Sequence, residues 1–517
     1  MPDPRTRSLK QRFKEKDFLL GVELTSSRGI ISGNKLQKTI QFGNDLSQIE
    51  DIDWISVTDN AGGHPTLRPA TLGRKFIEKG KEVIIHLTCK DMNRNALESN
   101  AWTLASEGFN NILALTGDYP QTDYLGGAKP VFDLDAVSLV KLLFTMNQGL
   151  ETGIKKKISL TKTNFFIGAA FSNYKRHENE LIPQYLKLAA KIKTGAEFII
   201  PQVGFDSKKM QELKYFIVDN GFDKTKLIGN IYLLSKFTSN LFHKNKIPGI
   251  VLNDNLHSKC MKAAQSPDKG KAFFIELAAK MLSIIRGLGY NGAYFGGLHN
   301  INDTIKILEL EKSFGNDDWK EFAKEIGYSQ KGEYFLYQKN QETGLLLKDK
   351  PNESRNKPKL SFKNKTNYKL SKIVHNLLFV PNSMGYKAGK SLSDLEKYQK
   401  HIPGFIHSIE KIGKEYMYDC QDCGDCALPF TEYICPESQC PKAQRNGPCG
   451  GTYNSICEVK DQDCIWARIY DRAKYSKANK NILEHSPAIK DNSLKGTSAW
   501  ANFWRGVDFS SKLINKK

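Results

Sequence analysis

EVIIHLT at residues 82–88 and NILALT at residues 111–116 are two short apolar runs that flank NALESNAWTLASEGF (95–109), in which Leu and Ala recur at helical spacing. Neither run alternates strictly between apolar and polar residues, which is typical of strands buried on both faces. A strand, a helix and a second strand in this order indicate a parallel βαβ unit. The stretch therefore predicts an α/β fold.

The same pattern recurs from residue 18 to about residue 300. The apolar runs are FLLGVEL (18–24), WISVT (54–58), EVIIHLT (82–88), NILALT (111–116), FFIGAAF (165–171), EFIIPQV (197–203), KLIGNIYLL (226–234) and GAYFGG (292–297). Eight such units predict a (β/α)8 TIM barrel rather than an open doubly wound sheet. No Gly-x-Gly-x-x-Gly opens a helix after the first run, which counts against a dinucleotide-binding open sheet.

Eight of the ten cysteines lie within the 45 residues from Cys420 to Cys464. They are Cys420, Cys423, Cys426, Cys435, Cys440, Cys449, Cys457 and Cys464. Disulfides need an oxidising compartment, and the basic N-terminal stretch MPDPRTRSLKQRFKEK lacks the apolar core of a signal peptide. A smaller, cysteine-rich, metal-binding α+β domain is therefore predicted after the barrel. The Cys-x2-Cys-x2-Cys triplet favours two four-iron iron–sulfur clusters; zinc is the alternative, and disulfides or free thiols stay open.

The chain has 517 residues and a formal net charge of +20, from 76 Lys and Arg against 56 Asp and Glu. Nucleic-acid-binding motifs are absent from the sequence, so we interpret the charge as a solvated basic surface. Attraction for polyanionic small molecules or for an acidic electron-transfer partner is the alternative. No apolar run reaches the roughly 18–20 residues that a membrane span needs. We expect no nucleic-acid partner, no membrane insertion and a cytoplasmic location.

Catalytic residues of a (β/α)8 barrel lie at the C-terminal ends of its strands. The candidate residues that end these runs are Glu23, Thr58, His86, Thr88, Thr116, Gly117, Asp118, Gln202, Ser235 and Phe237. Glu23 is distinctive because it lies inside an otherwise apolar run. Burial raises the pKa of a carboxylic acid, which suits a proton donor. The alternative is a structural carboxylate that only accepts hydrogen bonds.

Several of these residues fall in motifs that resemble the methylenetetrahydrofolate reductase family, over roughly residues 15–300. The most specific motifs are HLTC (86–89), NILALTGDYP (111–120) and the segment from GAAF (168–171) to GAEFIIPQVGFD (195–206). CGDCALP (423–429) and RNGPCGG (445–451) resemble the cysteine-rich partner of this reductase, which occurs as a separate subunit or as a fused extension. The resemblance implies a flavin-dependent (β/α)8 enzyme of one-carbon metabolism.

The resemblance also implies roles for individual residues. Glu23 occupies the position of the general acid, and Asp118 that of an aspartate beside flavin and pterin. Gln202 and Phe237 occupy substrate-binding positions. The positions that line the flavin are Thr58, His86, Leu115, Thr116, Gly117, Asp118, Ala170, Phe171 and Lys191.

Two departures concern the cofactor. Lys175 and Gln184 stand where the family has His and Asp toward the adenosine end of FAD. Adenine and ribose recognition is thereby weakened, whereas a cation for phosphate is kept. FAD is expected from the family as a whole, and FMN is its competitor.

The expected function is reduction of 5,10-methylenetetrahydrofolate to 5-methyltetrahydrofolate, for methionine biosynthesis, by hydride transfer from reduced flavin. The C-terminal clusters are expected to relay electrons from NAD(P)H or reduced ferredoxin, with ferredoxin or an electron-transfer flavoprotein as partner. The alternatives are a redox or methyl-transfer module of the folate pathway, and an NAD(P)H-dependent reductase with a structural zinc domain. The folate substrate is expected with or without a polyglutamate tail, and homo-oligomerisation stays open.

Four segments follow from these expectations. Residues 15–305 form the flavin- and folate-binding barrel, and residues 306–415 a helical or linker region. Residues 416–475 form the iron–sulfur or zinc domain, and residues 476–517 a polar tail that is poorly ordered until SAWANFW (498–504).

Overall fold

The structure is a computed structural model of the chain. It describes residues 7–123, 126–153, 156–353, 358, 360–381, 383–398, 403–478, 482–485 and 487–514. Among these residues, no helix is long and apolar enough to cross a membrane.

Eight parallel strands close into a barrel, which confirms the predicted fold class. In chain order they are β1 (Leu19–Leu24), β2 (Trp54–Val57), β3 (Glu82–Thr88), β4 (Asn111–Leu115), β5 (Phe166–Phe171), β6 (Phe198–Pro201), β7 (Lys226–Tyr232) and β8 (Gly292–Gly296). Each strand pairs in parallel with its neighbours in sequence, and β8 pairs with β1 to close the ring.

The helices between residues 9 and 325 precede, separate or follow these strands along the chain. They are α1 (Leu9–Glu15), α2 (Asn34–Gln48), α3 (Pro69–Ile77), α4 (Arg94–Ser106), α5 (Ala136–Gln148), α6 (Glu178–Thr194), α7 (Ser207–Asp219), α8 (Lys236–His243), α9 (Asp254–Ala263), α10 (Lys271–Gly287), α11 (Ile301–Lys312) and α12 (Asp318–Glu325). Two short antiparallel strand pairs lie in the β4–α5 and α5–β5 connections: residues 122–123 pair with 126–127, and residues 151–152 pair with 158–159.

The barrel has two hydrophobic layers because successive side chains of a strand point to opposite faces. The outer layer packs strands against helices, and the inner layer fills the barrel. Leu9 and Phe13 of α1 belong to the inner layer, so these two side chains pack against the residues that fill the barrel. This helix places the start of the barrel unit before the predicted boundary at residue 15.

Gly168 shows how tightly the inner layer is filled. A Cβ atom at this position would lie 2.1 Å from the ring of Phe198 on the neighbouring strand. Glycine in FFIGAAF therefore makes room for an aromatic ring on β6, as close packing of the interior requires.

The second half of the chain is mostly helical. A small antiparallel sheet pairs Tyr337–Lys339 with Leu346–Pro351. The helices are α13 (Phe362–Leu378), α14 (Met384–Tyr398), α15 (Pro403–Tyr418), α16 (Pro436–Gln439), α17 (Ile465–Tyr475), α18 (Ala499–Trp504) and α19 (Phe509–Ile514). Within residues 306–415, which were predicted as a helical or linker region, α13 is a helix of 17 residues.

The C-terminal tail returns to the helices that precede the cysteines. Trp504 Nε1 donates to the Leu378 carbonyl oxygen at 2.9 Å, and Ser498 Oγ donates to Glu410 Oε2 at 2.6 Å. These contacts link α18 to α13 and α15. The SAWANFW segment of the predicted tail is therefore packed onto the rest of the domain.

Candidate active site at the mouth of the barrel

The side chain of Glu23 points into the barrel near its C-terminal mouth. Leu19 on the same strand belongs to the inner layer, and the alternation of β1 places Glu23 on the same face. The Tyr294 hydroxyl on β8 donates a hydrogen bond to Glu23 Oε2. The same hydroxyl lies 3.5 Å from His86 Nε2 on β3. Three strands therefore place an acid, a phenol and an imidazole side by side.

Burial sets the protonation states of this group. It raises the pKa of Glu23, and the hydrogen bond from Tyr294 partly offsets this rise. Burial lowers the pKa of His86 to about 4, so its imidazole is neutral near pH 7. Because burial disfavours the carboxylate, Glu23 retains its proton to a higher pH than an exposed glutamate does.

The end of β4 brings the next predicted residues to the same mouth. Leu115 packs against the inner layer, and Thr116, Gly117 and Asp118 follow it. Asp118 Oδ2 accepts a hydrogen bond of 2.7 Å from the backbone N–H of Gly62. Gly117 has φ of 90°, a left-handed conformation that favours glycine. This turn places the Asp118 carboxylate against the β2–α3 loop, where Gly62 lies.

Thr58, Ala170 and Lys191 lie around the same opening. The Thr58 hydroxyl oxygen lies 3.4 Å from the backbone nitrogen of Ser26, which donates to it. Lys191 extends from α6, and its Nζ donates to the Ala170 carbonyl oxygen at 2.5 Å. Burial, reinforced by the nearby Lys187, lowers the pKa of Lys191 to about 7. The Lys191 amine is therefore only partly protonated near pH 7. Strongly shifted pKa values of this kind are typical of functional sites.

The two substrate-binding candidates and Phe171 lie in three different environments. Gln202 follows β6 and points inward, and its Nε2 donates to the Pro248 carbonyl oxygen at 3.4 Å. Phe237 lies in the first turn of α8 and is 70% exposed. Phe171 is not brought to the mouth: its ring packs against Tyr185 in the helix layer, with ring centroids 4.8 Å apart. Strand alternation explains this, because Ala170 points inward and its neighbour must point outward.

Lys175 does not present a free cation. It is buried, and its Nζ donates to the carbonyl oxygens of Gly450 and Thr452, both at 2.6 Å. Burial lowers its pKa. The ammonium group predicted to bind phosphate instead holds the cysteine-rich domain against the barrel.

The cysteine-rich domain also reaches the β4 end of the mouth. Lys442 Nζ donates to the Gly117 carbonyl oxygen at 2.9 Å. Gln444 Oε1 accepts from the Thr116 hydroxyl at 3.4 Å and from Lys187 Nζ at 3.1 Å. Two predicted flavin positions therefore contact a segment that lies between Cys440 and Cys449.

Four cysteines line each of two cavities in the cysteine-rich domain. Cys420, Cys423, Cys426 and Cys435 line one of them. Cys440, Cys449, Cys457 and Cys464 line the other. In the described part of the chain, no three His, Cys, Asp or Glu side chains meet closely enough to hold a single metal ion.

Comparison with known proteins identifies the family to which this barrel belongs. The family profile described as methylenetetrahydrofolate reductase matches residues 8–312, more than half of the chain. The chain belongs to the methylenetetrahydrofolate reductase family. A second profile, described as methylene-tetrahydrofolate reductase C terminal, matches residues 402–493 and covers the cysteines.

Two curated relatives are similar to parts of the chain. Methylenetetrahydrofolate reductase 2 of Schizosaccharomyces pombe is 22% identical over 270 residues, which are 49% of this chain and 39% of the relative. The 5,10-methylenetetrahydrofolate reductase of Pectobacterium carotovorum is 28% identical over 186 residues, 36% of this chain and 55% of the relative. The matches thus span about two fifths and about half of the relatives' lengths.

A solved structure shows a weaker likeness. It is an uncharacterised Clostridium thermocellum protein, described as binding two copies of 5-methyl-5,6,7,8-tetrahydrofolic acid. It is 13% identical with a TM-score of 0.43, over 59% of this chain and 98% of that chain.

Members of the methylenetetrahydrofolate reductase family generally bind flavin, and the mouth has polar groups that fit a ligand. Asn230 lies beside Tyr294 in the β7–β8 pairing, and its Nδ2 donates to the Pro201 carbonyl oxygen. Its buried Oδ1 has no hydrogen-bond partner among the described residues. Buried polar atoms are almost always paired, so this oxygen indicates a missing donor.

Tyr294, Asn230 and Gln444 were not among the residues selected from the sequence. The first two occupy inward positions of runs that were recognised only as strands, and counting alternate residues from the strand ends would have found them. Gln444 lies more than 300 residues from Thr116 along the chain, and no local pattern links the two.

Proposed function

We propose that the chain is a flavin-dependent reductase that converts 5,10-methylenetetrahydrofolate to 5-methyltetrahydrofolate. The observation that supports this most directly is Glu23, a carboxylic acid with a raised pKa at the mouth of a barrel of this family. A bound flavin supplies the hydride. The proton that opens the substrate's five-membered ring comes from Glu23, while Tyr294 fixes the orientation of its carboxyl group.

The residues around Glu23 have separate tasks in this proposal. Gln202 and Asn230 offer amide groups to the pterin from neighbouring strands, and exposed Phe237 offers an apolar face to the substrate. Thr58, His86, Leu115, Ala170 and Lys191 surround the flavin, together with Thr116, Gly117 and Asp118. Neutral His86 does not compete with Glu23 for the role of acid.

The direct test is a single turnover without any external electron donor. The purified protein, with its flavin photoreduced under anaerobic conditions, is mixed with 5,10-methylenetetrahydrofolate, and folates are separated by chromatography and identified by mass. We expect flavin reoxidation with one 5-methyltetrahydrofolate formed per flavin oxidised. If the flavin is reoxidised but no 5-methyltetrahydrofolate forms, the proposed reaction is wrong and the chain is a redox module with another function.

The pH profile of this half-reaction tests the Glu23–Tyr294 pair. An acid works while protonated, so the rate should fall as pH rises through the raised pKa of Glu23. The Tyr294 hydroxyl favours the carboxylate and lowers that pKa. Tyr294→Phe should therefore move the falling limb to higher pH by about one unit, the equivalent of one hydrogen bond to a charged group. If the falling limb of the Tyr294→Phe variant stays at the wild-type pH, the pH dependence does not arise from Glu23.

The flavin released from the protein should be FMN rather than FAD. The supporting observation is Lys175, whose ammonium is already used by the carbonyl oxygens of Gly450 and Thr452. If Lys175 were to bind the pyrophosphate of FAD, its ammonium would have to give up those contacts. Chromatography of the supernatant after denaturation distinguishes the two flavins, and FAD as the main species would reject this part of the proposal.

The cysteine-rich domain is proposed to pass electrons to the barrel from ferredoxin, an electron-transfer flavoprotein or NAD(P)H. Lys442 and Gln444 support this role because they join the domain to the β4 end of the mouth. Iron–sulfur clusters provide such a route, whereas zinc is redox-inactive and would make the domain structural. Iron, sulfide and zinc analysis of anaerobically purified protein separates the two.

A further inference from the structure

The eight cysteines do not divide at the widest gaps of the sequence. Cys435 and Cys440 are separated by a short segment that contains α16, yet they line different cavities. Cys440 shares its cavity with Cys464, which immediately precedes α17. Each cavity is therefore surrounded by four thiols, and each set of four is continuous along the chain.

The two sets have different surroundings. The first set, Cys420 to Cys435, follows α15, and its cavity is also lined by Lys414, Tyr418 and Arg445. Arg445 connects this set to α16, with its Nε donating to Glu437 at 2.8 Å and its Nη2 lying 3.8 Å from Cys423 Sγ. These neighbours all belong to the C-terminal half of the chain.

The second set, Cys440 to Cys464, lies against the barrel. Lys442 and Gln444 line its cavity, and the same two side chains contact Gly117 and Thr116 at the end of β4. Lys442 also pairs with Glu458 at 2.6 Å, and Cys449 Sγ lies 3.3 Å from the same carboxylate. One lysine thus spans the distance between this cysteine set and the barrel mouth.

We propose that the eight cysteines form two separate iron–sulfur centres in series, with Cys440, Cys449, Cys457 and Cys464 as the inner centre next to the barrel. Cys420, Cys423, Cys426 and Cys435 then form the outer centre, where electrons enter. A one-electron donor is oxidised at the outer centre, the electron passes to the inner centre, and two such transfers with a proton reduce the flavin. This inference rests on the proposed function, because it makes the barrel the electron acceptor.

The test begins with the unmodified full-length protein, purified anaerobically. Two four-iron centres require about eight iron atoms and about eight acid-labile sulfides per chain. Zinc in place of iron, or about half of that iron content, would overturn the proposal. This measurement needs no variant and stands even if cysteine substitutions impair folding.

Single substitutions then assign the two sets. Cys423→Ser and Cys449→Ser should each lose about half of the iron and one of two electron paramagnetic resonance signals of the dithionite-reduced protein. The lost signal should differ between the two variants. The control is Cys260→Ala, because Cys260 is buried in α9 outside both sets and its substitution should change neither iron nor signals. The same signal lost in both variants, or all iron lost from each, would contradict two separate centres.

The order of the centres is tested with reduced methyl viologen as the one-electron donor. In Cys449→Ser the outer centre should still be reduced, whereas bleaching of the flavin should be lost. Flavin reduction at the wild-type rate in this variant would overturn the inner position of the second set. The photoreduced variant should still convert 5,10-methylenetetrahydrofolate, so failure of the relay is distinguishable from failure of the proposed reaction.

Discussion

Replacing Glu23 with glutamine is expected to slow formation of 5-methyltetrahydrofolate by about 10²–10⁴-fold, which is the usual contribution of a positioned general acid. Glutamine keeps the size of the side chain and can still contact the Tyr294 hydroxyl, but it has no proton of suitable acidity. The measurement is single-turnover reoxidation of photoreduced flavin by 5,10-methylenetetrahydrofolate. Substrate affinity should change little, because the proton is needed only for ring opening.

Glu50→Gln is the matched control. Glu50 is an exposed glutamate in the turn before β2, so the same chemical change should leave the half-reaction unaltered. The flavin content and flavin spectrum of both variants report whether the barrel is intact. If Glu23→Gln reduces the folate as fast as the wild type, Glu23 is a structural carboxylate and another group must supply the proton.

The barrel could be predicted from the sequence because each of its strands is marked by a short stretch of consecutive residues. Each strand is a short apolar run, and the residue that ends it lies at the catalytic rim whatever the helices do. Glu23, Asp118 and Gln202 could be selected on this ground. Phe171, which the resemblance placed beside the flavin, does not reach the rim, because proximity to a strand end does not say which face a side chain occupies. Alternation from Ala170 decides that, and it sends Phe171 to the helix layer.

The contacts between the two halves were not predictable, because they join residues far apart in the chain. Lys175 was interpreted as a ligand for phosphate, yet its partners are backbone carbonyl groups some 275 residues later. The grouping of the cysteines is a similar case. Spacing alone does not show that Cys435 and Cys440 face different cavities, since this depends on how α16 turns the chain.

These contacts make the cysteine-rich domain part of the barrel's rim. Glu178 at the start of α6 pairs with Lys474, and accepts from the Tyr470 hydroxyl, both on α17. The Trp466 indole N–H donates to the Gln444 carbonyl oxygen and supports the segment that meets β4. A rim built from two domains explains why the candidate flavin residues Thr116 and Gly117 have hydrogen-bond partners beyond residue 440.

Among the residues that join the cysteine-rich domain to the barrel, we expect substitution of Asn446 to reduce stability most. It is buried, and its backbone N–H and side-chain Nδ2 both donate to Asp135 Oδ2 at 2.9 Å. Asp135 is itself the N-cap of α5, accepting from the Ser138 N–H. Asn446 Oδ1 accepts from the Ala488 N–H at 2.6 Å. One side chain therefore connects the barrel, the cysteine segment and the C-terminal tail.

Asn446→Ala is expected to lower the free energy of unfolding by about 2–4 kcal/mol. The side-chain hydrogen bonds contribute about 0.5–1.5 kcal/mol each, and the Ala488 N–H and part of the Asp135 carboxylate would be left buried without a partner. Urea unfolding followed by tryptophan fluorescence measures the change, in protein of equal flavin and metal content because bound cofactors shift the apparent stability. Asn316→Ala, in an exposed turn, is the control and should change the free energy by less than about 0.5 kcal/mol. A similarly small change for Asn446→Ala would show that the two halves are held together by other contacts, and that Asn446 only lies between them.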